Sequence, residues 1–228
     1  MSFLTIKNIK KVYGKDKAVQ TVGLNNINLE IGEGEFVVLS GPSGSGKTTL
    51  LNMIGGLDSA SEGDVILTGT NLTSLDEAAL SQERLHHIGF VFQAYNLIPV
   101  LTAKENIEYV MALQGTSKAD RDARVQEVAQ ILGIEDLLNK RPDQMSGGQQ
   151  QRVAVARAVA SKPKLILADE PTANLDSVTA TNLMEMMRKL NEEEKITIIF
   201  SSHDPMVINK AKRLVVLKDG HIESNEMK

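Results

Sequence analysis

The chain has 228 residues and a formal net charge of −4, from 25 lysines and arginines against 29 aspartates and glutamates. It contains no cysteine and only four histidines, which excludes disulfides and thiolate zinc sites. Because it has no Lys/Arg-rich block, few aromatic residues (4%) and no apolar run near the ~18–20 residues that cross a bilayer, we expect neither nucleic-acid binding nor a membrane span.

Short apolar or alternating runs in the first third of the chain predict β-strands separated by glycine-containing turns. These runs are 3–9, 24–31, 36–39, 65–67 and 88–92. Residues 102–160 change to helical spacing and include one amphipathic helix that ends at Gly133. The apolar face of that helix comprises Val125, Val128, Ala129 and Leu132.

The last third of the chain alternates apolar strands with helices. The predicted strands are 165–168, 196–200 and 214–217, and a short helix is predicted near Pro205. A longer helix has an apolar face made of Leu183, Met186, Met187 and Leu190. Strands that are buried on both faces and alternate with helices indicate a parallel α/β sheet.

A phosphate-binding pattern follows the predicted strand at 36–40. Its residues, in the order G-x-x-x-x-G-K-[ST], are Gly41, Pro42, Ser43, Gly44, Ser45, Gly46, Lys47 and Thr48. A helical stretch follows, which is the context that a P-loop requires. Backbone N–H groups and the helix start would surround a polyphosphate, with Lys47 reaching its β- and γ-phosphates and Thr48 binding Mg²⁺. The alternative is a Gly/Ser-rich turn that happens to precede a lysine.

Two carboxylates end the predicted strand at 165–168. Asp169 is the candidate for holding the metal ion, and Glu170 is the candidate general base that polarises the attacking water. The alternative is that the two acids cap the helix that follows.

A polar, glycine-containing segment precedes the helical pattern at 153–160. Ser146, Gly147, Gly148 and Gln149 open this helix. Such a helix start binds anions, and a second one beside a P-loop suggests a nucleotide shared across a subunit interface. By local rules alone, ordinary capping by Ser146 is the favoured interpretation.

Together these residues resemble the ATP-binding subunit of ABC transporters over nearly the whole chain. The matching motifs are Walker A at 41–48, the glutamine loop at Gln93, the signature at 146–149, Walker B at 165–169 with Glu170, the D-loop at 173–176 and the switch histidine His203. One departure is Met145, where the signature usually has leucine, and this apolar swap conserves volume.

The resemblance implies roles that local rules do not assign. Tyr13 would stack on adenine, Thr49 would join the P-loop in nucleotide binding, and Gln93 would contact Mg²⁺ and the attacking water. His203 would sense the γ-phosphate and support Glu170. On local rules, Tyr13 is a packed strand-end tyrosine, Gln93 a loop amide and His203 a surface histidine.

The resemblance also implies the architecture and the partners. The expected fold is an α/β P-loop NTPase (RecA-like) core with an antiparallel β subdomain, at about 1–92 and 162–228, and an α-helical signature subdomain at 93–161. It implies an ATPase that uses ATP and Mg²⁺ and works as a homodimer. Each ATP would lie between one subunit's P-loop and the other's signature. Asp176 would lie at the dimer seam, although on local rules it caps a helix.

Several stretches are most similar to the branch that serves lipoprotein release, macrolide or peptide-antibiotic export and cell division. They are 54–58, 88–93, 96–106 and 169–176. This implies integral-membrane permease partners, a groove after Gln93 for the permease's coupling helix, and a location on the cytoplasmic face of the membrane. The alternatives are an importer ATPase, a soluble ABC ATPase in translation or DNA maintenance, and a nucleotide-gated module without hydrolysis, against which Glu170 and His203 argue.

Overall fold

The computed structural model describes residues 2–14 and 20–228. Residues 1 and 15–19, which belong to the expected range at about 1–92, lie outside the described residues. The strands are β1 (Leu4–Tyr13), β2 (Thr21–Ile31), β3 (Phe36–Ser40), β4 (Glu62–Leu67), β5 (Thr70–Asn71), β6 (Ile88–Val91), β7 (Leu165–Asp169), β8 (Thr197–Ser201), β9 (Arg213–Lys218) and β10 (His221–Met227). The α-helices are α1 (Lys47–Ile54), α2 (Glu77–His87), α3 (Ala103–Leu113), α4 (Lys118–Leu132), α5 (Gly147–Ala160), α6 (Ser177–Glu194) and α7 (Pro205–Asn209). None of the helices in these ranges is long and apolar enough to cross a membrane.

The larger sheet has the strand order β10-β9-β3-β8-β7-β6. Strands β9, β3, β8, β7 and β6 run parallel, which confirms the predicted parallel sheet. The sequence did not predict the edge strand β10, which pairs antiparallel with β9. Its side chains are exposed or half-buried, so it lacks the apolar run that marks the other strands.

The smaller sheet has the order β2-β1-β4-β5 and antiparallel pairing, as expected for the β subdomain. Strand β3 links the two hydrophobic cores because all five of its residues are buried. Val37 and Leu39 face the core shared with the smaller sheet and α1, whereas Phe36 and Val38 face the core shared with α3 to α6. The P-loop after β3 is therefore supported from both sides.

Helix α4 confirms its predicted apolar face, since Val125, Val128, Ala129 and Leu132 are all buried, and Gly133 ends it in the left-handed conformation. On α6 the predicted apolar face needs one correction. Met186, which was predicted to belong to it, is only half-buried, whereas Met184 is buried. Helix α2 was missed. It buries no residue, so its sequence carries no clear apolar period; the Asp76 side chain caps its start, and basic residues lie in its last turn.

A buried asparagine anchors the segment between the glutamine loop and α3. Asn106 is fully buried, accepts a 2.8 Å hydrogen bond from the Ile98 N–H and donates to the Leu101 and Thr102 carbonyl oxygens at 3.2 and 3.0 Å. These bonds fix residues 98–102, which form no regular element of their own.

We predict that Asn106→Ala lowers the free energy of unfolding by about 2–3 kcal/mol, because it leaves several buried backbone groups without partners. Urea unfolding would measure the change. Asn182→Ala is the matched control, since Asn182 is an exposed position of α6 where the gain in helix propensity is the same, and it should stay within about 0.5 kcal/mol of wild type. Equal stability of the two variants would contradict the anchoring role.

Candidate functional site

The P-loop connects β3 to α1 through backbone geometry that needs glycine. Gly41 and Gly46 have φ values of 143° and 104°. A Cβ on Gly41 would collide with the Leu217 carbonyl oxygen, and one on Gly46 would lie 2.8 Å from the Gly23 carbonyl oxygen. Among the residues that the structure describes, no side chain caps the start of α1, and the first turn of α1 contains no acidic residue. Its N–H groups and partial positive charge are therefore available to an anion.

The side chains of the loop fit a polyphosphate. The Lys47 ammonium is buried and donates to the carbonyl oxygens of Gly41 and Pro42 at 2.8 and 3.0 Å. Within the described residues it has no acidic partner. The Ser45 hydroxyl is also buried and has no hydrogen-bond partner in the part of the chain that the structure describes. Ser43 and Gly44 are exposed at the tip of the loop. A buried cation and an orphan hydroxyl on one loop are suited to phosphate oxygens.

Thr48 and Asp169 meet at the carboxyl ends of β3 and β7. The Thr48 hydroxyl lies 3.1 and 3.0 Å from the two Asp169 carboxylate oxygens. The Ser201 hydroxyl donates to Asp169 at 2.6 Å and accepts from the Glu170 N–H at 2.9 Å. Asp169 and Ser201 pair in register on β7 and β8, which fixes the carboxylate. A hydroxyl and a carboxylate so arranged are oxygen ligands of the kind that Mg²⁺ takes, directly or through water.

Glu170 and His203 form a second polar pair beside Asp169. The Nδ1 atom of His203 lies 3.0 Å from a Glu170 carboxylate oxygen. Glu170 has a φ of 44°, an uncommon value for a side chain other than glycine, and such strain concentrates at functional sites. The two residues line an open cavity of about 300 Å³, so a water molecule can reach the carboxylate.

The glutamine loop is held from two sides. Gln93 is exposed, and its carbonyl oxygen accepts a 3.2 Å hydrogen bond from the Asn174 amide of the D-loop. The Arg157 guanidinium of α5 donates to the Tyr95 and Asn96 carbonyl oxygens at 3.0 and 2.5 Å, and burial lowers the pKa of Arg157. The loop thus contacts both the D-loop and the helix that follows the signature.

The signature residues cap their own helix, as the local interpretation favoured. Ser146 accepts from the Gln149 N–H at 3.4 Å, and the Gln149 side chain accepts from the Ser146 N–H at 2.9 Å. A Cβ on Gly147 would lie 2.8 Å from the Tyr95 hydroxyl, and one on Gly148 would lie 2.8 Å from Thr179. The glycines therefore allow the glutamine loop and the start of α6 to approach this helix closely. In the described residues, no hydrogen bond joins 146–149 to the P-loop.

Asp176 caps α6, as its local sequence indicated. Its carboxylate accepts from the Val178 and Thr179 N–H groups at 3.1 and 3.0 Å and from the Thr179 hydroxyl at 2.6 Å. The hydrogen bond from the Thr179 hydroxyl, followed by those from the backbone, holds the pKa of Asp176 below its ordinary value. The residue is thus charged at the exposed start of a helix that touches the signature.

Tyr13 ends β1 next to the P-loop helix. Its hydroxyl lies 3.4 Å from the Thr49 hydroxyl and 3.2 Å from the Asp58 carboxylate. The Lys11 ammonium lies 5.0 Å from the ring centroid, and the tyrosine is 40% exposed. The Tyr13 side chain thus lies next to α1, the helix that carries Thr48 and Thr49.

Sequence analysis gave no individual role to several residues that organise the site. They are Lys11, Asp58, Tyr95, Arg157, Asn174 and Ser201. Most of them act through contacts with segments far away in the sequence, so no local pattern marks them. The exception is Ser201, because a buried hydroxyl that ends an apolar strand is a detectable signal.

Comparison with known proteins gives one consistent family. The family model described as "ABC transporter" matches residues 24–173. The ATP-binding protein MJ0796 of Methanocaldococcus jannaschii is 44% identical over 98% of this chain and 96% of its own. Its dimeric structure in a post-hydrolysis state, bound to ADP and Pi, matches with a TM-score of 0.91 over 98% of both chains.

Two relatives with named functions also match. The bacitracin export ATP-binding protein BceA of Halalkalibacterium halodurans is 41% identical over 97% of this chain and 87% of its own. The lipoprotein-releasing system ATP-binding protein LolD 1 of Chlorobium chlorochromatii is 41% identical over 97% of this chain and 90% of its own. These names fit the branch that the sequence resembles. The chain belongs to the ABC transporter family, as an ATP-binding and ATP-hydrolysing subunit.

Proposed function

We propose that the chain binds MgATP between two copies of itself and hydrolyses it to drive a membrane permease of the export or lipoprotein-release type. The observation that carries this proposal is the Glu170–His203 pair, which lies beside the Thr48–Asp169 contact at the P-loop. The names of BceA and LolD 1 support the branch, because each protein is matched along most of its length. These names are what favours this branch over a role in import, translation or DNA maintenance.

The phosphate end of the site is built from the P-loop. Lys47, Ser45 and the start of α1 would bind the β- and γ-phosphates of ATP. Thr48 and Asp169 would hold Mg²⁺, with the Gln93 side chain as a further ligand. The ion supplies positive charge that neutralises the phosphoryl oxygens.

Hydrolysis then needs a base at the γ-phosphate. Glu170 would accept a proton from the attacking water as the water oxygen bonds to the γ-phosphorus and the bond to the β-phosphate oxygen breaks, giving ADP and phosphate. His203 would hold the Glu170 carboxylate through their 3.0 Å contact. Ser201 links the two acids, because its hydroxyl bonds both Asp169 and the Glu170 N–H.

The signature would complete the site of a second copy. Gly147 lies close to Tyr95 and Gly148 lies close to Thr179, so the signature lies between the glutamine loop and the start of α6. A nucleotide bound by Ser146 of one copy would therefore lie close to the glutamine loop and to the D-loop of that copy. The dimeric form of MJ0796 supports this arrangement.

An apolar groove would receive the permease. It has a volume of about 480 Å³ and is bordered by α2, β6, α3 and α5. Leu57 and Tyr109 on its rim are 45% and 44% exposed, although large apolar side chains are usually buried. We assign this groove to the permease's coupling helix and residues 93–161 to the subdomain that transmits the motion. The chain would then lie on the cytoplasmic face of the membrane, without a nucleic-acid partner.

We predict that Glu170→Gln lowers ATP turnover by about 10²–10⁴-fold and leaves ATP affinity nearly intact, because the amide cannot accept the proton. Phosphate release and equilibrium binding would measure the two quantities. The variant should also accumulate as an ATP-bound dimer in size-exclusion chromatography. Glu223→Gln, in an exposed ion pair, is the control and should behave as wild type. Near-normal phosphate release would remove Glu170 from the proposed role.

Ser146→Asp separates capping from binding across the dimer. Aspartate is as good a helix cap as serine, so a residue that only caps its helix should tolerate the change. If Ser146 faces the partner's γ-phosphate, the added negative charge should repel it and lower turnover at least tenfold, with no change in melting temperature. Unchanged turnover would refute the shared site.

A mixing experiment tests the same arrangement independently. Ser146→Arg and Lys47→Ala should each abolish ATP-dependent dimers, but their mixture rebuilds one site with both halves intact. Light scattering with ATP and Mg²⁺ should therefore show more dimer in the mixture than in either variant alone. If both variants are folded and no dimer is recovered, the two motifs do not belong to opposite chains.

Tyr109→Glu should release the chain from membranes, because it places a charge on the apolar rim of the groove. In cells of the source organism, the variant should move from the membrane pellet to the supernatant while the purified protein keeps its ATPase activity. Tyr109→Phe keeps the ring and should stay in the pellet. A Tyr109→Glu variant that sediments as wild type does would exclude this groove as the permease site.

A further inference from the structure

The ring of Tyr13 is fixed by contacts from three elements. On β1, two residues earlier, the Lys11 ammonium lies over the ring at 5.0 Å from its centroid. The hydroxyl is within hydrogen-bond distance of Thr49 on α1 and of Asp58 after α1. At the ring edge, a Cβ on Gly23 would lie 2.8 Å from Cε2, so β2 leaves just enough space for the ring.

Lys11 on β1 and Asp58 in the loop after α1 form an ion pair. The ammonium lies 2.6 Å from the Asp58 carboxylate and also donates to the Ser59 carbonyl oxygen at 2.6 Å, although Lys11 is only 8% exposed. Burial by itself would raise the pKa of Asp58. The hydrogen bonds from Lys11, the Ser59 N–H and Tyr13, together with the Lys11 charge, outweigh that effect and hold the pKa below its ordinary value.

Withdrawing the Lys11 charge from water is costly, so its position needs a reason. The adjacent residue Lys10 makes a 2.8 Å ion pair with Glu62, and their side chains are 36% and 65% exposed. Within the described part of the chain, Lys10 lies over no aromatic ring. Lys11 instead lies over one face of the Tyr13 ring, and Asp58, whose side chain is 30% exposed, accepts a hydrogen bond from the ring's hydroxyl. Tyr13 as a whole is 40% exposed, so a ligand can reach part of its ring.

We propose that Lys11 and Asp58 are positioning residues that hold the Tyr13 ring as a stacking platform for the adenine of ATP. The inference rests on the proposed function, because it takes ATP as the ligand of the P-loop. The Asp58 hydrogen bond fixes the direction of the ring, and the Thr49 contact fixes its distance from the P-loop helix. The spacing between the base platform and the phosphate site is thus set before the nucleotide binds, which reduces the entropy cost of binding.

The test compares a ligand that has a base with one that lacks it. MgADP and Mg-pyrophosphate would be titrated into the purified protein by calorimetry, because both use the P-loop and only ADP reaches Tyr13. Asp58→Asn and Tyr13→Phe should each weaken ADP binding about three- to tenfold and leave pyrophosphate binding unchanged. Tyr13→Ala should weaken ADP binding further, since it removes the ring as well as the hydroxyl.

Two comparisons make the test specific. Glu62→Gln breaks the neighbouring exposed ion pair and should bind both ligands as wild type does. The double variant Tyr13→Phe, Asp58→Asn should show a smaller fold-loss of ADP affinity than the product of the two single losses, because both changes break the Tyr13–Asp58 hydrogen bond. Tyr13→Phe keeps the packed ring, so it gives an answer even if Asp58→Asn lowers the melting temperature.

The inference is overturned if Asp58→Asn and Tyr13→Phe both bind ADP as wild type does. It is also overturned if these variants lose affinity for ADP and for pyrophosphate equally. It also fails if Tyr13→Ala keeps full ADP affinity while Lys47→Ala loses it, and in that case the proposed function stands. If Lys47→Ala binds ADP as wild type does, the proposed function itself fails.

Discussion

The contact between the Thr48 hydroxyl and the Asp169 carboxylate joins the two halves of the site, and its geometry depends on the parallel sheet. Thr48 follows β3 and Asp169 ends β7, with β8 lying between these strands and supplying Ser201. Parallel strands bring their carboxyl ends to one edge, so residues that lie more than a hundred positions apart in the sequence meet there. The hydrophobic cores on both faces of β3 hold that edge in place.

Helices and strands that bury an apolar face could be predicted from the sequence. Helices and strands without a buried apolar face could not be predicted. The buried faces of α4 and the parallel strands follow from their periodicity. Helix α2 buries nothing, and β10 is an edge strand with mostly exposed side chains, so neither has a hydrophobic period. Whether such elements form depends on tertiary contacts, and these contacts cannot be read from the local pattern of a single sequence.

The same division applies to the candidate site. The P-loop is one contiguous segment, and Asp169 and Glu170 are adjacent at the end of β7, so local rules recognise each of them together with the strand that precedes it. The residues that orient them come from elsewhere in the chain: Arg157 holds the glutamine loop and Asp58 holds Tyr13. Such supporting residues have ordinary local surroundings, and only the folded chain identifies their targets.

Capping and binding across a dimer need not compete at Ser146. A serine hydroxyl has one donor hydrogen and two acceptor lone pairs, and the cap uses only an acceptor, toward the Gln149 N–H. The hydrogen remains free to donate to a phosphate oxygen, and the helix start adds partial positive charge in the same direction. The cap therefore fixes the side chain at the point where an anion would approach. A residue that local rules explain completely as a cap would thereby also be oriented for the proposed shared site.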